Sequence, residues 1–348
     1  MDRRSFLAAA SAVALAPAAG RAQSAQITGA GATFPAPLYA KWGEAAQRAI
    51  GVQLNYQAIG SGGGQNQIRN RTVDFGASDA PLTAEQLQQS NLLQFPTVMG
   101  SVVPIVNIPG VEPDQLKLTG ALLADIYAGK VTKWNDPRLA ENNPGVGLPN
   151  LAIAPAYRAD GSGTTFVFTS YLSAAAPEWK QKVGTATSVR WPVGAGARGN
   201  DGVAGTVRNT RGAIGYVEYA YAHTNRLTTA QLRNKAGNFV KPTMASFQAA
   251  AGNADWSVPD FAASLIDTPG AESWPIMSPT FILLPTNPQD VARSASVMRF
   301  FDWAYREGKQ LAAELEYVAL PDQVAEAIRK AWAESVKGPN GQPGWPAR

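Results

Sequence analysis

Short blocks of alternating or continuous hydrophobic residues recur along the chain and predict strands that are separated by helices. Residues 52–58 alternate between apolar and polar side chains, which is typical of a half-buried strand. The run at residues 98–108 is rich in Val and Ile and predicts a strand that is buried on both faces. By the same criteria we expect strands at residues 52–58, 73–78, 98–108, 153–158, 213–219 and 280–284.

Capping residues and helical spacing predict helices between these strands. Thr83 with Gln86 three positions later has the pattern of a capping box, which marks a helix start. Gly129 indicates the end of a helix at residues 119–128, and residues 164–172 also have helical spacing. The alternation of the two kinds of element predicts an α/β protein with largely parallel sheets.

The C-terminal part of the chain is predicted to be helical. Pro288 is expected in the first turn of a long helix, where proline is tolerated, and a last helix is expected to begin near Pro321. The tail from Gly338 is rich in Pro and Gly, and we expect it to be loosely held.

Length and composition indicate two globular domains and exclude several classes of protein. The chain has 348 residues, of which 45% are hydrophobic and 16% charged, with a net charge of +4. At roughly 150 residues per domain this length predicts two domains, and the lack of a polar linker at the midpoint indicates that the chain crosses between them more than once. The weak positive charge is untypical of nucleic-acid binding. Because there is no cysteine, disulfides, thiolate metal sites and a cysteine nucleophile are excluded.

The first 22 residues have the features of an export signal. Arg3 and Arg4 precede a short apolar run at residues 6–19, and small residues surround a cleavage position after Ala22. A membrane anchor is disfavoured because the apolar run is shorter than the ~20 residues that a spanning helix requires. We therefore expect residues 1–22 to be a signal peptide of the twin-arginine type, with general secretion as the alternative route, and the mature protein to be periplasmic.

Three glycine-rich turns are the candidate functional elements. They lie at residues 29–34, 60–64 and 160–164, and the second and third each follow a predicted strand and precede a predicted helix. Backbone N–H groups at a helix start lack helical partners, and the helix dipole adds partial positive charge there. Such turns favour an oxyanion ligand, although any one of them is as readily a simple turn. They match neither the dinucleotide fingerprint nor the P-loop.

Charged residues beside these turns have both a functional and a structural interpretation. Arg158 could bind an oxyanion in bidentate fashion, or only pair with Asp160 within its loop. Asp79 follows a strand and, taken alone, reads as a turn or helix-capping residue. A hydrolase is disfavoured because His223 is the single histidine and Ser162 lacks the nucleophile-elbow pattern. The sequence also lacks the clustered His and Asp residues of a metal-dependent phosphatase, so we expect no catalytic residue and no metal.

Several longer motifs resemble one known family. They are GAGATFPAP (29–37), YQAIGS (56–61), VDFGASDAP (73–81), RADGSGT (158–164), FVFTSY (166–171), GAIGYVEYAY (212–221), WPI (274–276) and FFDWAY (300–305). In this order they resemble the periplasmic phosphate-binding proteins of phosphate-specific ABC transporters. The resemblance extends over nearly the whole mature chain, so it is far more specific than any single glycine turn.

The resemblance implies an α/β fold of the type II periplasmic binding protein class, with two lobes and two crossover strands that form a hinge. We expect lobe 1 to comprise residues 25–106 and 281–348, and lobe 2 to comprise residues 107–280. The ligand would lie in the cleft between the lobes, and closure of the hinge would bury it.

The resemblance also implies which residues bind phosphate. The expected ligands are Thr33, Phe34, Ser61, Asp79, Arg158, Ser162, Gly163 and Thr164, with Asp160 supporting Arg158 from behind. Gly62 departs from the family pattern, in which a second serine is common, and this puts only a secondary contact in doubt. Asp79 would accept a hydrogen bond from a protonated phosphate oxygen, which argues against sulfate as the ligand.

The function implied by the resemblance is high-affinity capture of inorganic phosphate in the periplasm and its delivery to a membrane-embedded ABC phosphate permease. We expect a monomer without a cofactor, without nucleic acid as a partner and without enzymatic activity. Another oxyanion as ligand, a hydrolase, and an adhesion or scaffolding role are the alternatives.

Overall fold

The computed structural model describes residues 25–346 of the chain. The predicted signal peptide at residues 1–22 lies outside the described residues. Within residues 25–346, every helix is too short or too polar to cross a lipid bilayer.

Strands and helices alternate through most of the described chain. The strands are β1 (Ala25–Gly31), β2 (Val52–Ala58), β3 (Phe75–Ser78), β4 (Leu92–Val106), β5 (Lys117–Leu118), β6 (Ala154–Arg158), β7 (Ala195–Ala197), β8 (Ala213–Glu218), β9 (Thr228–Thr229), β10 (Gln231–Arg233), β11 (Phe239–Val240), β12 (Leu265–Ile266), β13 (Ile276–Pro285) and β14 (Val318–Ala319). The helices are α1 (Ala36–Ile50), α2 (Ser61–Arg69), α3 (Ala84–Ser90), α4 (Gly120–Tyr127), α5 (Pro137–Asn142), α6 (Gly163–Ala175), α7 (Pro177–Lys182), α8 (Gly199–Asn209), α9 (Tyr219–Thr224), α10 (Met244–Ala251), α11 (Val291–Glu307), α12 (Lys309–Glu314) and α13 (Asp322–Ser335).

Two parallel groups of strands are joined through a pair of long antiparallel strands. The order along the main sheet is β2-β1-β3-β13-β4-β8-β6-β7. Strands β2, β1 and β3 are parallel, as are β8, β6 and β7. Strand β4 pairs with β13 as far as Ser101 and with β8 from Val102 onward, so one continuous strand belongs to both groups. Helix α2 follows the carboxyl end of β2 in the first group, and helix α6 follows the carboxyl end of β6 in the second.

Most of the predicted strands are confirmed, but the first strand was missed. Residues 52–58 form β2 as predicted. Strand β13 extends beyond the predicted 280–284 at both ends, whereas β4 begins six residues before the predicted 98–108, where it pairs with β13, and ends two residues earlier, at Val106. The predicted glycine turn at residues 29–34 begins inside β1. Gly29 is needed for packing, because a Cβ atom there would lie 2.0 Å from the Phe75 ring. A Cβ atom on Gly31 (φ 145°) would likewise lie 2.0 Å from the Ala77 carbonyl oxygen.

Two predictions for the C-terminal part are wrong. Helix α11 begins at Val291 and is capped by Asp290, whose side chain accepts a hydrogen bond from the Arg293 N–H (2.9 Å), so Pro288 lies before the helix. The tail from Gly338 is held in place, because Gly344 and Trp345 are buried although residues 339–343 are exposed. The Trp345 ring is buried against Trp332, with the two ring centroids 5.1 Å apart. Burial of this large apolar side chain contributes more free energy than the short tail loses in conformational entropy.

Candidate anion site

The three glycine-rich turns meet at one place in the fold. The Gly62 N–H donates to the Gly161 carbonyl oxygen (2.9 Å), which joins the second turn directly to the third. The Asn200 side chain contacts both Thr33 of the first turn and Thr164 of the third. A cleft of about 300 Å³ adjoins the turns and opens to the surface beside Ile59 and Arg198.

The third turn presents the start of helix α6. Ser162 caps this helix, and its hydroxyl oxygen accepts a hydrogen bond from the Thr165 N–H (3.0 Å). A Cβ atom on Gly163 would lie 2.4 Å from both Asp79 Oδ2 and Ser61 Oγ, so only glycine fits there and both polar atoms lie beside the helix start. Ser162, Gly163 and Thr164 are buried together with Ser61, which is the first residue of helix α2. Two helix N-termini therefore converge, and their dipoles favour negative charge.

The first turn is held by two buried tyrosine hydroxyls. Tyr221 donates to the Thr33 carbonyl oxygen (2.5 Å), and Tyr317 donates to the Phe34 carbonyl oxygen (2.6 Å). The Thr33 carbonyl and the Phe34 N–H belong to the same peptide plane. Tyr221 therefore fixes the direction in which the Phe34 N–H points.

Arg158 and Asp160 form a buried bidentate pair. The distances are 2.8 Å from Arg158 Nε to Oδ1 and 2.5 Å from Nη2 to Oδ2, and Nη1 donates to the Thr164 hydroxyl oxygen (3.3 Å). Partial burial acts to raise the pKa of Asp160, but the Arg158 guanidinium and the Gly199 N–H together hold that pKa below its usual value. The structural pair considered above is thus real, and it aligns a positive charge with the third turn.

Asp79 is a buried acceptor with one oxygen satisfied and one free. Its Oδ1 accepts a hydrogen bond from the Thr280 hydroxyl (2.7 Å), while Oδ2 is buried and has no hydrogen-bond partner among residues 25–346. It does not cap a helix, because α3 begins after Thr83, whose hydroxyl accepts from the Gln86 N–H in the predicted capping box. Burial raises the pKa of Asp79 to about 7, and hydrogen bonding by Thr280 and the charge of Arg158 oppose that rise.

The free energy of unfolding of the ligand-free protein is expected to fall as Asp79 loses its proton. An aspartate in the unfolded chain titrates near pH 4, whereas folded Asp79 has a pKa of about 7, so folding takes up a proton between these values. For a single group this lowers stability by about 2–3 kcal/mol between pH 5 and pH 7.5. Denaturant titrations at both pH values measure the free energy of unfolding of the parent and of Asp79→Asn. Between pH 5 and pH 7.5 the parent should lose about 2–3 kcal/mol more than the variant. Equal losses would contradict the raised pKa.

Sequence reasoning missed several residues that contact the predicted ones, among them Thr280, Tyr221, Tyr317 and Asn200. Asn200 is fully buried near the start of helix α8, which follows strand β7 through Gly199. Its local signal is limited to Gly199 at the helix start, because the preceding strand, AGA, is too short and too rich in small residues to be predicted from the sequence. Thr280 and Tyr221 carry no such local signal.

The residues considered for other chemistries do not form a second site. His223 is exposed on helix α9, with its ring 6.0 Å from that of Tyr219. Among residues 25–346, no group of three or more His, Asp or Glu side chains is placed to hold a metal ion.

Comparison with known proteins identifies the class to which this architecture belongs. The model of the PBP superfamily domain matches residues 16–307. A phosphate-binding protein from Stenotrophomonas maltophilia, known from its crystal structure, has the same fold with a TM-score of 0.72 at 22% identity; the match covers 92% of this chain and 98% of that one. The predicted two-lobed α/β fold is thereby confirmed.

Closer relatives identify the family. The chain is 50% identical over 324 residues to the phosphate-binding protein PstS of Pasteurella multocida, which covers 93% of this chain and 94% of the relative. It is 35% identical over 323 residues to the PstS protein of Methanocaldococcus jannaschii, covering 85% and 82%. The chain belongs to the PstS family of phosphate-binding proteins within the PBP superfamily.

Proposed function

We propose that this protein captures inorganic phosphate in the periplasm and delivers it to a membrane-embedded ABC-type phosphate importer. The observation that carries the proposal is the free Oδ2 of Asp79, a buried acceptor beside two helix N-termini. An anion that also brings a proton satisfies both features, and phosphate near neutral pH is such an anion. The names of the relatives support the same ligand.

Each predicted ligand has a role in this proposal that follows from its chemistry. The hydroxyls of Thr33, Ser61, Ser162 and Thr164, the N–H groups of Phe34 and Gly163, and the guanidinium of Arg158 donate hydrogen bonds to phosphate oxygens. Asp79 accepts a hydrogen bond from the protonated oxygen of phosphate, and Asp160 holds Arg158 in place through their ion pair. A buried dianion requires nearly every oxygen to be satisfied, and this set supplies donors mostly from neutral dipoles.

The donors come from both sides of the proposed hinge. Lobe 1, at residues 25–106 and 281–348, would supply the donors Thr33 and Ser61 and the acceptor Asp79, and lobe 2, at residues 107–280, would supply the donors of the third turn. Strands β4 and β13 would carry the crossovers. In this proposal, the direct hydrogen bond between Gly62 and Gly161 would join the two lobes and would be broken when they open.

The further properties proposed are those of a transport component. After removal of a signal peptide at residues 1–22, the protein would act as a periplasmic monomer, with the ABC permease as its partner and with no catalytic turnover. Membership of the PstS family supports this assignment.

One phosphate per monomer is expected to bind and to close the lobes, because the donors lie on both of them. Calorimetry of the phosphate-depleted mature protein against phosphate, sulfate and nucleotides tests the ligand, and small-angle scattering with and without phosphate tests closure. The radius of gyration should decrease with phosphate. Absence of phosphate binding would overturn the function, whereas binding with an unchanged radius would overturn only the hinge.

A further inference from the structure

Asn200 connects the first and the third turn through a single amide group. Its side chain is fully buried, and Nδ2 lies 2.7 Å from the Thr33 hydroxyl oxygen and 3.2 Å from the Thr164 hydroxyl oxygen. The two hydrogens on Nδ2 allow both contacts to be hydrogen bonds at once. Asn200 therefore donates to two of the hydroxyls assigned to phosphate, from behind the site.

The orientation of this amide is set by the backbone. Asn200 Oδ1 accepts a hydrogen bond from the Glu218 N–H (3.0 Å), which can only donate. The opposite orientation would turn the NH₂ group against this N–H and present the carbonyl oxygen to the threonines. Strand β8, which ends at Glu218, thus determines that Asn200 faces the threonines as a donor.

Both threonine oxygens have their acceptor capacity filled. A hydroxyl has two lone pairs and one hydrogen. The Thr33 oxygen accepts from Asn200 Nδ2 and from the Asn200 backbone N–H (3.4 Å), and the Thr164 oxygen accepts from Asn200 and from Arg158 Nη1 (3.3 Å). Each hydroxyl is then left with its hydrogen alone, and it can act toward a further group only as a donor.

We infer that Asn200 is a positioning residue of the site, which turns the hydroxyl hydrogens of Thr33 and Thr164 toward the anion without touching it. The inference rests on the proposed phosphate function. A hydroxyl is by itself as good an acceptor as a donor, so a site for an anion gains from a neighbour that removes the acceptor option. Because no charge is added, Asn200 does this without a further buried ion.

Two substitutions separate this role from simple packing. Asn200→Ala frees both hydroxyls to rotate and is expected to weaken phosphate binding about tenfold. Asn200→Asp keeps the shape but replaces the donor by an acceptor, which would draw both hydrogens away from the ligand and add a negative charge. At pH 8 it is expected to weaken binding about 100-fold or more.

The pH dependence distinguishes positioning from a structural role. Protonation restores one donor to the carboxyl group of Asn200→Asp, so the ratio of its phosphate Kd to that of the parent should shrink from pH 8 to pH 5. The ratio removes the titration of phosphate itself, which is common to both proteins. Asn209→Asp, at the exposed end of the same helix, is the matched control and should bind like the parent at either pH.

A double-mutant cycle tests whether Asn200 acts through the threonines. Asn200→Ala should weaken phosphate binding less in a Thr33→Val background than in the parent, because one of the two hydroxyls that Asn200 contacts is already absent. Calorimetry with phosphate measures each Kd, and thermal unfolding without phosphate reports any loss of folding. Additive effects, or a pH-independent ratio for Asn200→Asp, would overturn the inference while parent binding remains. Failure of the parent itself to bind phosphate would instead overturn the proposed function.

Discussion

At pH 9, where Asp79 with its pKa of about 7 is almost fully ionised, Asp79→Asn is expected to narrow a preference for phosphate over sulfate of about 100-fold. This corresponds to about 2.7 kcal/mol, which is the cost of protonating Asp79 so that sulfate can bind. The free Oδ2 of Asp79 is buried, and it faces the start of helix α6 at Gly163. Phosphate can donate a hydrogen bond from its protonated oxygen to this carboxylate oxygen. Sulfate has a similar size and charge but no proton, so a sulfate oxygen would face the carboxylate oxygen with no hydrogen between them. Burial makes that contact worse because water cannot screen it. An asparagine amide can instead turn a donor toward a fully ionised oxygen.

Competition titrations of both proteins with phosphate and sulfate measure this selectivity. The matched control is Asp201→Asn, because Asp201 is an exposed carboxylate that lines the cleft leading to the site. It removes the same charge without removing a buried acceptor, so the selectivity ratio should not change. An unchanged ratio in Asp79→Asn as well would mean that another group discriminates between the anions.

Local sequence rules predicted two of the glycine turns at helix starts and missed the contacts that depend on distant packing. A strand, a glycine turn and a helix start are all encoded within about a dozen residues, so the second and third turns were predictable. The Asp79 side chain is held by Thr280, 201 positions away along the chain. No local pattern indicates that contact, and from the residues alone Asp79 was more simply a turn or capping residue.

The errors in the fold have the same origin. Strand β1, AQITGAG, has few β-branched residues, and its glycines are required only because Phe75 and Ala77 of the neighbouring strand come close. The Pro- and Gly-rich composition of the C-terminal tail predicted a loosely held segment, but Trp345 packs on Trp332 of helix α13. In both cases a contact with a distant part of the chain, rather than the composition of the segment, decided its structure.

Arg158→Ala is expected to weaken phosphate binding by about 2–5 kcal/mol, which is the range for truncating one partner of a buried, hydrogen-bonded charge pair between two binding partners. Arg158 is 3% exposed and is the single full positive charge assigned to the site. Its removal would leave the Asp160 carboxylate beside the bound anion, so two negative groups would face each other in a buried site. Part of the loss is therefore repulsion by Asp160, and Arg158→Ala combined with Asp160→Asn should recover some affinity.

Arg198→Ala is the matched control for this loss of charge. Arg198 is exposed and lines the cleft that leads to the same site, so solvent and salt screen its charge. Its removal should change the phosphate affinity by less than about 1 kcal/mol at physiological ionic strength. Calorimetry with phosphate measures the affinity of Arg158→Ala, of Arg158→Ala combined with Asp160→Asn, and of Arg198→Ala. If Arg158→Ala and Arg198→Ala lost equally little phosphate affinity, the two helix N-termini and the hydroxyls would hold the anion without the buried guanidinium. The pairing of Arg158 with Asp160 would then only stabilise the loop.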